Sequence, residues 1–92
     1  MKYIDVAWRH DFADEPVRLV SELDELRFET RKLEFFRDGR VGFAYADIEM
    51  LDTRLGYLQC PPVDEINADP QFHVVELSAQ EYERLWARYV VL

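Results

Sequence analysis

The sequence has little cysteine, little glycine and no long uncharged run, and each shortage excludes a class of protein. A single cysteine among 92 residues excludes a disulfide-bonded scaffold. Three glycines and four prolines exclude collagen-like and low-complexity chains. The longest uncharged run, residues 56–63, is far shorter than the roughly 20 residues of a membrane-spanning helix. An acid at Asp5 also interrupts any apolar signal-peptide core, so we expect a cytoplasmic protein without a membrane segment.

Basic residues are also scarce, since 11 Lys and Arg face 19 Asp and Glu and the net charge is -8. A nucleic-acid-binding face is usually basic, so this balance argues against nucleic acid as a partner, although residues 27–40 are mildly basic. What is present is material for a core, because 49% of the residues are hydrophobic and 14% are aromatic. That content excludes disorder and predicts a single globular domain over residues 1–92.

Alternation of apolar and polar residues predicts strands. In residues 3–10, Ile4, Val6 and Trp8 fall on one face together with His10. In residues 26–36, Glu29, Arg31, Leu33 and Phe35 fall on one face. Further strands are expected at 17–21, 40–49 and 72–77, with Glu22–Glu25 as a connection. Asp38-Gly39 predicts a type I′ turn, and therefore a hairpin, between the strands on either side of it.

Two helices are expected in the second half of the chain. Pro61 or Pro62 can open a short helix that Pro70 ends, near residues 62–69. Ser78 and Glu81 form a capping-box pattern. The apolar stripe that follows it consists of Tyr82, Leu85, Trp86, Tyr89 and Val90. The expected fold is therefore α+β: an antiparallel sheet of four to five strands, with a C-terminal helix packed on one face and one short helix.

An open sheet has two unpaired edges, and these need protection or a partner. In the second arm of the predicted hairpin, the small residues Gly42 and Ala44 alternate with large ones and leave space on one face. Homodimerisation through an edge or through this small-residue face is therefore an expectation from the sequence.

Five motifs occur along the chain in one order. They are HDF (10–12) with DEP (14–16), SELDE (21–25) before Arg27, FRDG (36–39) and EINADP (65–70). Together they resemble a family of short bacterial proteins classed as a domain of unknown function. The resemblance implies no activity, cofactor or site residue. Small families of this kind are often encoded beside toxins as immunity proteins, which suggests an inhibitor by association of class.

The densest charge feature is a set of six acids with Arg18 as the only base among them. The acids are Asp11, Asp14, Glu15, Glu22, Asp24 and Glu25. One interpretation is an acidic surface that binds a basic protein such as a toxin domain. A cation site is a second interpretation, but no EF-hand spacing is present. A solvated surface that keeps the domain soluble is the third. A hairpin of the first two strands would place the two acidic loops at its opposite ends.

Candidate catalytic chemistry centres on His10. A histidine beside Asp11, with Glu22 and Arg27 elsewhere in the first third of the chain, is one pattern for a general base. The competing interpretation is a strand-end histidine that is hydrogen-bonded locally. Cys60 precedes a helix start, where a thiol can become reactive, although an ordinary small apolar residue is the favoured interpretation.

No metal or cofactor is expected, because His10 and His73 lie far apart without metal-ligand spacing and the glycines form no phosphate-binding motif. The sequence therefore favours a non-enzymatic protein-binding module, such as an immunity or inhibitor protein. The alternative is a small enzyme or ligand-binding domain that uses His10 with nearby carboxylates and Arg27.

Overall fold

A computed structural model describes residues 1–90, which form a six-stranded sheet and two helices. The elements are β1 (Lys2–Trp8), β2 (Arg18–Leu23), β3 (Glu29–Phe35), β4 (Val41–Tyr45), β5 (Ile48–Met50), α1 (Val63–Asn67), β6 (Phe72–Leu77) and α2 (Ala79–Tyr89). The six strands of this described part make one sheet in the order β5-β4-β3-β2-β1-β6, and every neighbouring pair is antiparallel. Neither described helix is long and apolar enough to cross a membrane.

Alternation along the strands divides the apolar residues between the two faces of the sheet. On one face, Val20, Leu33 and Phe43 pack against Tyr82 of α2. On the other face, buried Ile4, Val6, Leu23 and Val74 form a second cluster, and Val63 and Ile66 of α1 pack against it. The expected α+β class is confirmed, with the C-terminal helix on one face of the sheet and the short helix on the other.

Both helices begin as their sequences predict. The Ser78 hydroxyl accepts a hydrogen bond from the Glu81 backbone N–H (3.1 Å), and the Glu81 carboxylate accepts one from the Ser78 N–H (2.9 Å). This capping box satisfies two donors that the first turn of α2 would otherwise leave free. Pro62 is the N-cap of α1, a single short helix within the predicted range.

The sheet contains one strand more than expected. The sequence predicts an unbroken strand over residues 40–49, but the chain reverses after Tyr45 and pairs Ile48 back against it. Ala46 stands at the start of this two-residue turn with φ 49°. Alanine seldom adopts a positive φ, and neither glycine nor proline is present, so Asp47 is the only turn-forming residue at this position.

The predicted hairpin between β3 and β4 is confirmed, but the prediction of a type I′ turn is wrong. Only Gly39 has a positive φ (96°), whereas a type I′ turn would require one at Asp38 as well. The Phe36 N–H donates to the Arg40 carbonyl (2.9 Å) and the Gly39 N–H donates to the Phe36 carbonyl (3.0 Å). These bonds define a three-residue loop with a type I turn and glycine in the left-handed region.

A β-bulge changes the predicted faces of β3. Glu22 and Leu23, expected in a connection, lie inside β2, and the β2–β3 register shifts between them. Glu22 pairs with Arg31 but Leu23 pairs with Glu29, so β3 carries one additional residue, Thr30. A bulge redirects side chains. Glu29 consequently lies on the face opposite Arg31, which corrects the expectation that the two share a face.

The space beside Gly42 is filled by the chain itself. A Cβ at this position would overlap the Thr53 hydroxyl and lie 2.8 Å from the Met50 carbonyl oxygen. Ala44 is buried as well. The small-residue face is therefore covered by the segment after β5. It is not available for contact with a second copy of the chain.

Candidate functional site

The loop between β1 and β2 projects an acidic segment from the end of the sheet. Its base is held by two backbone hydrogen bonds, from Trp8 N–H to the Val17 carbonyl (2.9 Å) and from Arg9 N–H to the Gln71 carbonyl (2.7 Å). Pro16 is buried at the end of the loop, whereas residues 11–15 are all exposed. The structure thus presents this segment to solvent on a fixed base.

His10 holds this loop through both of its ring nitrogens. Nδ1 accepts a hydrogen bond from the Phe12 N–H (3.0 Å), and Nε2 lies 2.7 Å from the Pro16 carbonyl oxygen. Because a carbonyl only accepts, this network assigns the ring proton to Nε2. Neither nitrogen is left to take a proton from a substrate. The geometry fits a histidine that is hydrogen-bonded locally rather than a general base.

Aromatic rings run from the sheet edge into this loop. Ring centroids are 6.0 Å apart between Phe72 and Trp8, 4.2 Å between Trp8 and His10, and 5.4 Å between His10 and Phe12. The Trp8 indole N–H donates to the Gln71 side chain (3.3 Å). Phe12, at the end of the series, is 63% exposed. The aromatic row therefore ends in a ring that is open to solvent beside the loop acids.

Two depressions adjoin at this loop. The first, which we call the acidic–aromatic pocket, has a volume of about 390 Å³ and is lined by Trp8, Phe12, Ala13, Asp14 and Glu15. The second, the acidic groove, measures about 450 Å³. Its lining consists of Asp14, Glu15, Pro16, Glu34, Phe36, Arg40, Leu51 and Asp52. Asp14 and Glu15 belong to both, so four carboxylates and one guanidinium line a continuous surface.

The six acids singled out in the sequence do not form one patch. Asp11, Asp14 and Glu15 lie in the β1–β2 loop, whereas Glu22 lies near the far end of β2 and Asp24 and Glu25 follow that strand. The register from Ala7–Arg18 to Lys2–Leu23 separates the two ends by about 17 Å. The sequence predicts this arrangement, in which the two acidic loops lie at opposite ends of the β1–β2 hairpin.

Two of the three far acids have structural partners, whereas Glu25 is exposed and its side chain makes no hydrogen bond or ion pair among residues 1–90. The Asp24 carboxylate accepts hydrogen bonds from the Leu26 N–H (2.9 Å) and the Phe28 N–H (3.0 Å), which shapes the turn after β2. Glu22 is buried against Arg31. In contrast, the side chains of the three loop acids make no ion pair or hydrogen bond among residues 1–90. The carboxylates of Glu22 and Asp24 are therefore engaged within the chain, whereas those of the near loop are not.

The Glu22–Arg31 pair connects the sheet to α2. Arg31 Nη2 lies 2.5 Å from one Glu22 oxygen and Arg31 Nη1 lies 2.6 Å from Glu83 of the helix. Its guanidinium stacks over Tyr82 at 4.9 Å and over Trp86 at 5.0 Å from the ring centroids. The hydrogen bonds from Arg31 lower the pKa of Glu22, against the opposing effect of burial. Both charged groups of the pair therefore bind other groups of the same chain.

Arg27 holds the segment that precedes α1. It has a positive φ of 66°, and its guanidinium donates to the carbonyls of Cys60 (2.8 Å) and Pro61 (2.7 Å). Burial raises the pKa of the Cys60 thiol, which disfavours the reactive thiolate. Cys60 packs against the cluster on the α1 face, as the small-apolar interpretation expected.

The alternative catalytic set does not converge. His10 and Asp11 follow the end of β1, whereas Glu22 and Arg27 lie toward the opposite end of the β1–β2 pair. No described pocket is lined by these residues together. Within the described part of the chain, no three His, Cys, Asp or Glu side chains cluster closely enough to hold a metal ion.

Sequence reasoning missed a polar cluster on the α1 side of the sheet. Glu29 accepts hydrogen bonds from Ser21 Oγ (3.0 Å) and from the Gly56 N–H (2.6 Å), and it lies 3.2 Å from Lys32 Nζ. Glu34 accepts one from Thr53 Oγ1 (2.8 Å). The cluster anchors residues 53–56 across the sheet. The sequence pattern that could have indicated this cluster is the set of polar side chains on β3 that pair with the small residues of β4.

Comparison with known proteins supports the family relationship. Residues 2–91 match the family described as "Domain of unknown function (DUF6881)". The chain belongs to this family. The resemblance to a domain of unknown function is thus confirmed, and the DUF6881 description assigns no activity or site residue. No curated protein and no solved structure matches the chain significantly.

Proposed function

We propose that this member of the DUF6881 family is a non-enzymatic protein-binding module of the immunity or inhibitor type, and that its partner is a basic protein such as a toxin domain. The observation that carries the proposal is the β1–β2 loop. It exposes Asp11, Asp14 and Glu15 without internal partners beside the exposed ring of Phe12.

Other charges of the molecule support this interpretation by contrast. Asp5 pairs with Arg18 at 2.7 Å, and Arg31 with Glu22 at 2.5 Å. Unlike these paired groups, the loop acids keep their charge available to another molecule, as Asp64 and Glu65 of α1 also do, and the loop adds the exposed ring of Phe12 beside them. Complementary charge of this kind accelerates association and favours the correct partner over others.

The mode of inhibition follows from the same chemistry. Carboxylates on a projecting loop can occupy the positions that substrate phosphates take in the active site of a nuclease. An exposed aromatic ring next to them supplies buried apolar area at the centre of the contact. The proposal includes a cytoplasmic location, where a free cysteine such as Cys60 stays reduced.

The test is a native pull-down from the source cell with the full chain, followed by mass spectrometry. We expect a basic protein to be retained at about 0.05 M salt and released at about 0.5 M, because salt screens exposed charges. The double variant Asp14→Asn/Glu15→Gln should lose that protein.

The matched control is Asp64→Asn/Glu65→Gln, which removes the same charge from the exposed first turn of α1. It should retain the partner. The proposal fails when no basic protein is retained at low salt, or when both double variants retain it equally well.

A further inference from the structure

We propose that the acidic–aromatic pocket is the specific subsite of the contact and takes one arginine side chain of the partner. This inference rests on the proposed function, and it adds the chemical group that the pocket recognises. The pocket, of about 390 Å³, lies at the low end of the roughly 300–1,000 Å³ of ligand sites. It suits a single side chain rather than a folded element.

The walls match the two properties of a guanidinium. The aromatic residues Trp8 and Phe12 line the pocket together with the acidic residues Asp14 and Glu15, and Phe12 is the more open of the two rings, at 63% exposure. A guanidinium is planar and weakly hydrated, so it stacks on aromatic rings while its fork of N–H donors binds carboxylates. An ammonium is a compact, strongly hydrated charge that cannot stack in this way.

The protein already uses this combination internally. Arg18 stacks over Phe35 at 4.7 Å while Nε and Nη2 bind the two oxygens of Asp5 at 2.9 and 2.7 Å. Arg31 likewise stacks over Tyr82 while it binds Glu22. In both sites a ring, a carboxylate and a guanidinium are present together.

The acidic–aromatic pocket has the ring and the carboxylate without the guanidinium. Among residues 1–90, no cation stacks over Trp8 or Phe12. Arg37 reaches the same loop, but its Nη2 donates to the His10 carbonyl oxygen at 2.6 Å. The missing third component is what an arginine from a partner would supply.

The experiment is an NMR titration of the ¹⁵N-labelled full chain with three capped tripeptides that carry arginine, lysine or citrulline between glycines. The arginine peptide should saturably shift the Trp8 indole signal and the amide signals of residues 12–15. We expect the lysine peptide to bind about 3-fold more weakly or worse, because it lacks the stacking contact. Citrulline, which is neutral, should produce no saturable shift.

Variants separate the two walls of the pocket. Phe12→Ala should weaken arginine binding about 3-fold through the lost ring, and its exposure makes misfolding an improbable cause. Asp14→Asn/Glu15→Gln should weaken it about 10-fold through two lost charges. Asp64→Asn/Glu65→Gln should leave it unchanged. Equal binding of citrulline, or unchanged binding by Phe12→Ala, would overturn the inference.

Failure of this inference can be told apart from failure of the proposed function. A basic partner that is lost from the acid variant but fully retained by Phe12→Ala, with no arginine shift at Trp8, contradicts the arginine subsite and supports the proposed function. Saturable arginine binding at the pocket without any retained basic protein supports the subsite and contradicts the proposed function.

Discussion

Arg31 shows how a single side chain can connect two elements of this fold. It binds Glu22 on β2 and Glu83 on α2, and its guanidinium covers Tyr82 and Trp86. Removal of the Glu22 charge leaves the partly buried Arg31 with the more exposed carboxylate of Glu83 as its only ionic partner, and weakening a partly buried ion pair is destabilising. The Glu22–Arg31 pair should therefore show its contribution as a lower free energy of unfolding when one partner is replaced.

Substitution Glu22→Gln tests this contribution. We expect the free energy of unfolding to fall by about 2 kcal/mol at pH 7, because a charge-assisted hydrogen bond is lost. The pKa of Glu22 is lowered in the folded state from its ordinary value of 4.5, so its stabilising effect is present above that pH. It is lost as the pH falls through the lowered folded-state pKa.

Urea denaturation at pH 7 and at successively lower pH measures this effect. The difference between wild type and Glu22→Gln should shrink below about pH 4.5. Glu25→Gln, at an exposed neighbouring position, is the control and should change stability little at either pH. A constant difference across the whole pH range would contradict the assignment.

For single residues, the local sequence predicts the surroundings of some side chains and not of others. It raised the possibility that His10 is held locally, because a strand-end histidine has backbone groups within reach. It could not place Glu29, because the face of Glu29 depends on a bulge created by the pairing of β3 with β2. Alternation along one strand assumes a regular strand, so it does not reveal where an additional residue shifts the register against the neighbouring strand.

At the scale of elements, β4 and the segment after β5 fit together through Gly42. The Thr53 side chain and the Met50 carbonyl occupy the volume where a Cβ would stand. Thr53 is fully buried there and donates to Glu34 at 2.8 Å. The glycine is required for this close approach rather than for backbone freedom.

Substitution Gly42→Ala should destabilise the protein by about 1–3 kcal/mol, because the added methyl group meets backbone and buried atoms that cannot move aside. Thermal or urea denaturation measures the loss. Gly56→Ala is the comparison: its new Cβ would meet only side-chain atoms, with the Glu29 carboxylate at 3.0 Å, so it should destabilise the protein less than Gly42→Ala. Equal stability of wild type and Gly42→Ala would show that the segment does not pack as described.

The elements themselves differ in how far the sequence predicts them. The capping box and the apolar stripe predicted α2 correctly, because both signals act within one helix. The β4–β5 reversal escaped prediction because Ala46 adopts a positive φ that its side chain does not favour. Pairing of Ile48 with Tyr45 closes that turn, and the tertiary support comes after β5, where the buried Thr53 donates to Glu34 of β3.

For the molecule as a whole, the edges of the sheet decide whether copies can add to it. Asn67 of α1 covers part of the β6 edge: its side-chain oxygen accepts from the Val74 N–H (2.8 Å) and its amide donates to the Val74 carbonyl (3.3 Å). A side-chain amide thus replaces the neighbouring strand at this point. Protection of an edge in this way limits edge-to-edge association.

Substitution Asn67→Ala should free the Val74 groups and increase self-association. We expect sedimentation velocity to show a concentration-dependent increase in mass for the variant that exceeds any increase for wild type. Ala68→Ser, at the adjacent exposed position, is the control and should sediment like wild type. Identical sedimentation of wild type and Asn67→Ala would contradict a protective role for Asn67.

The homodimer expected from the sequence stays a prediction, but the structure narrows its location. The small-residue face is filled and the β6 edge is partly covered, which leaves β5, where Ile48 and Met50 are exposed. Dimerisation through β5 should be abolished by a charge at Ile48. The same sedimentation series checks this with Ile48→Lys.

The sequence by itself determined the α+β class, the hairpin around Gly39, the amphipathic α2 and the separation of the acidic loops, because each depends on local periodicity or on turn chemistry. Only the tertiary structure decided which acids remain available. Glu22 finds Arg31 through the register of β2 with β3, whereas Asp14 and Glu15 stand unpaired beside Trp8 and Phe12. The net charge of -8 states how many acids exceed the bases, but only packing determines which of them another molecule can reach.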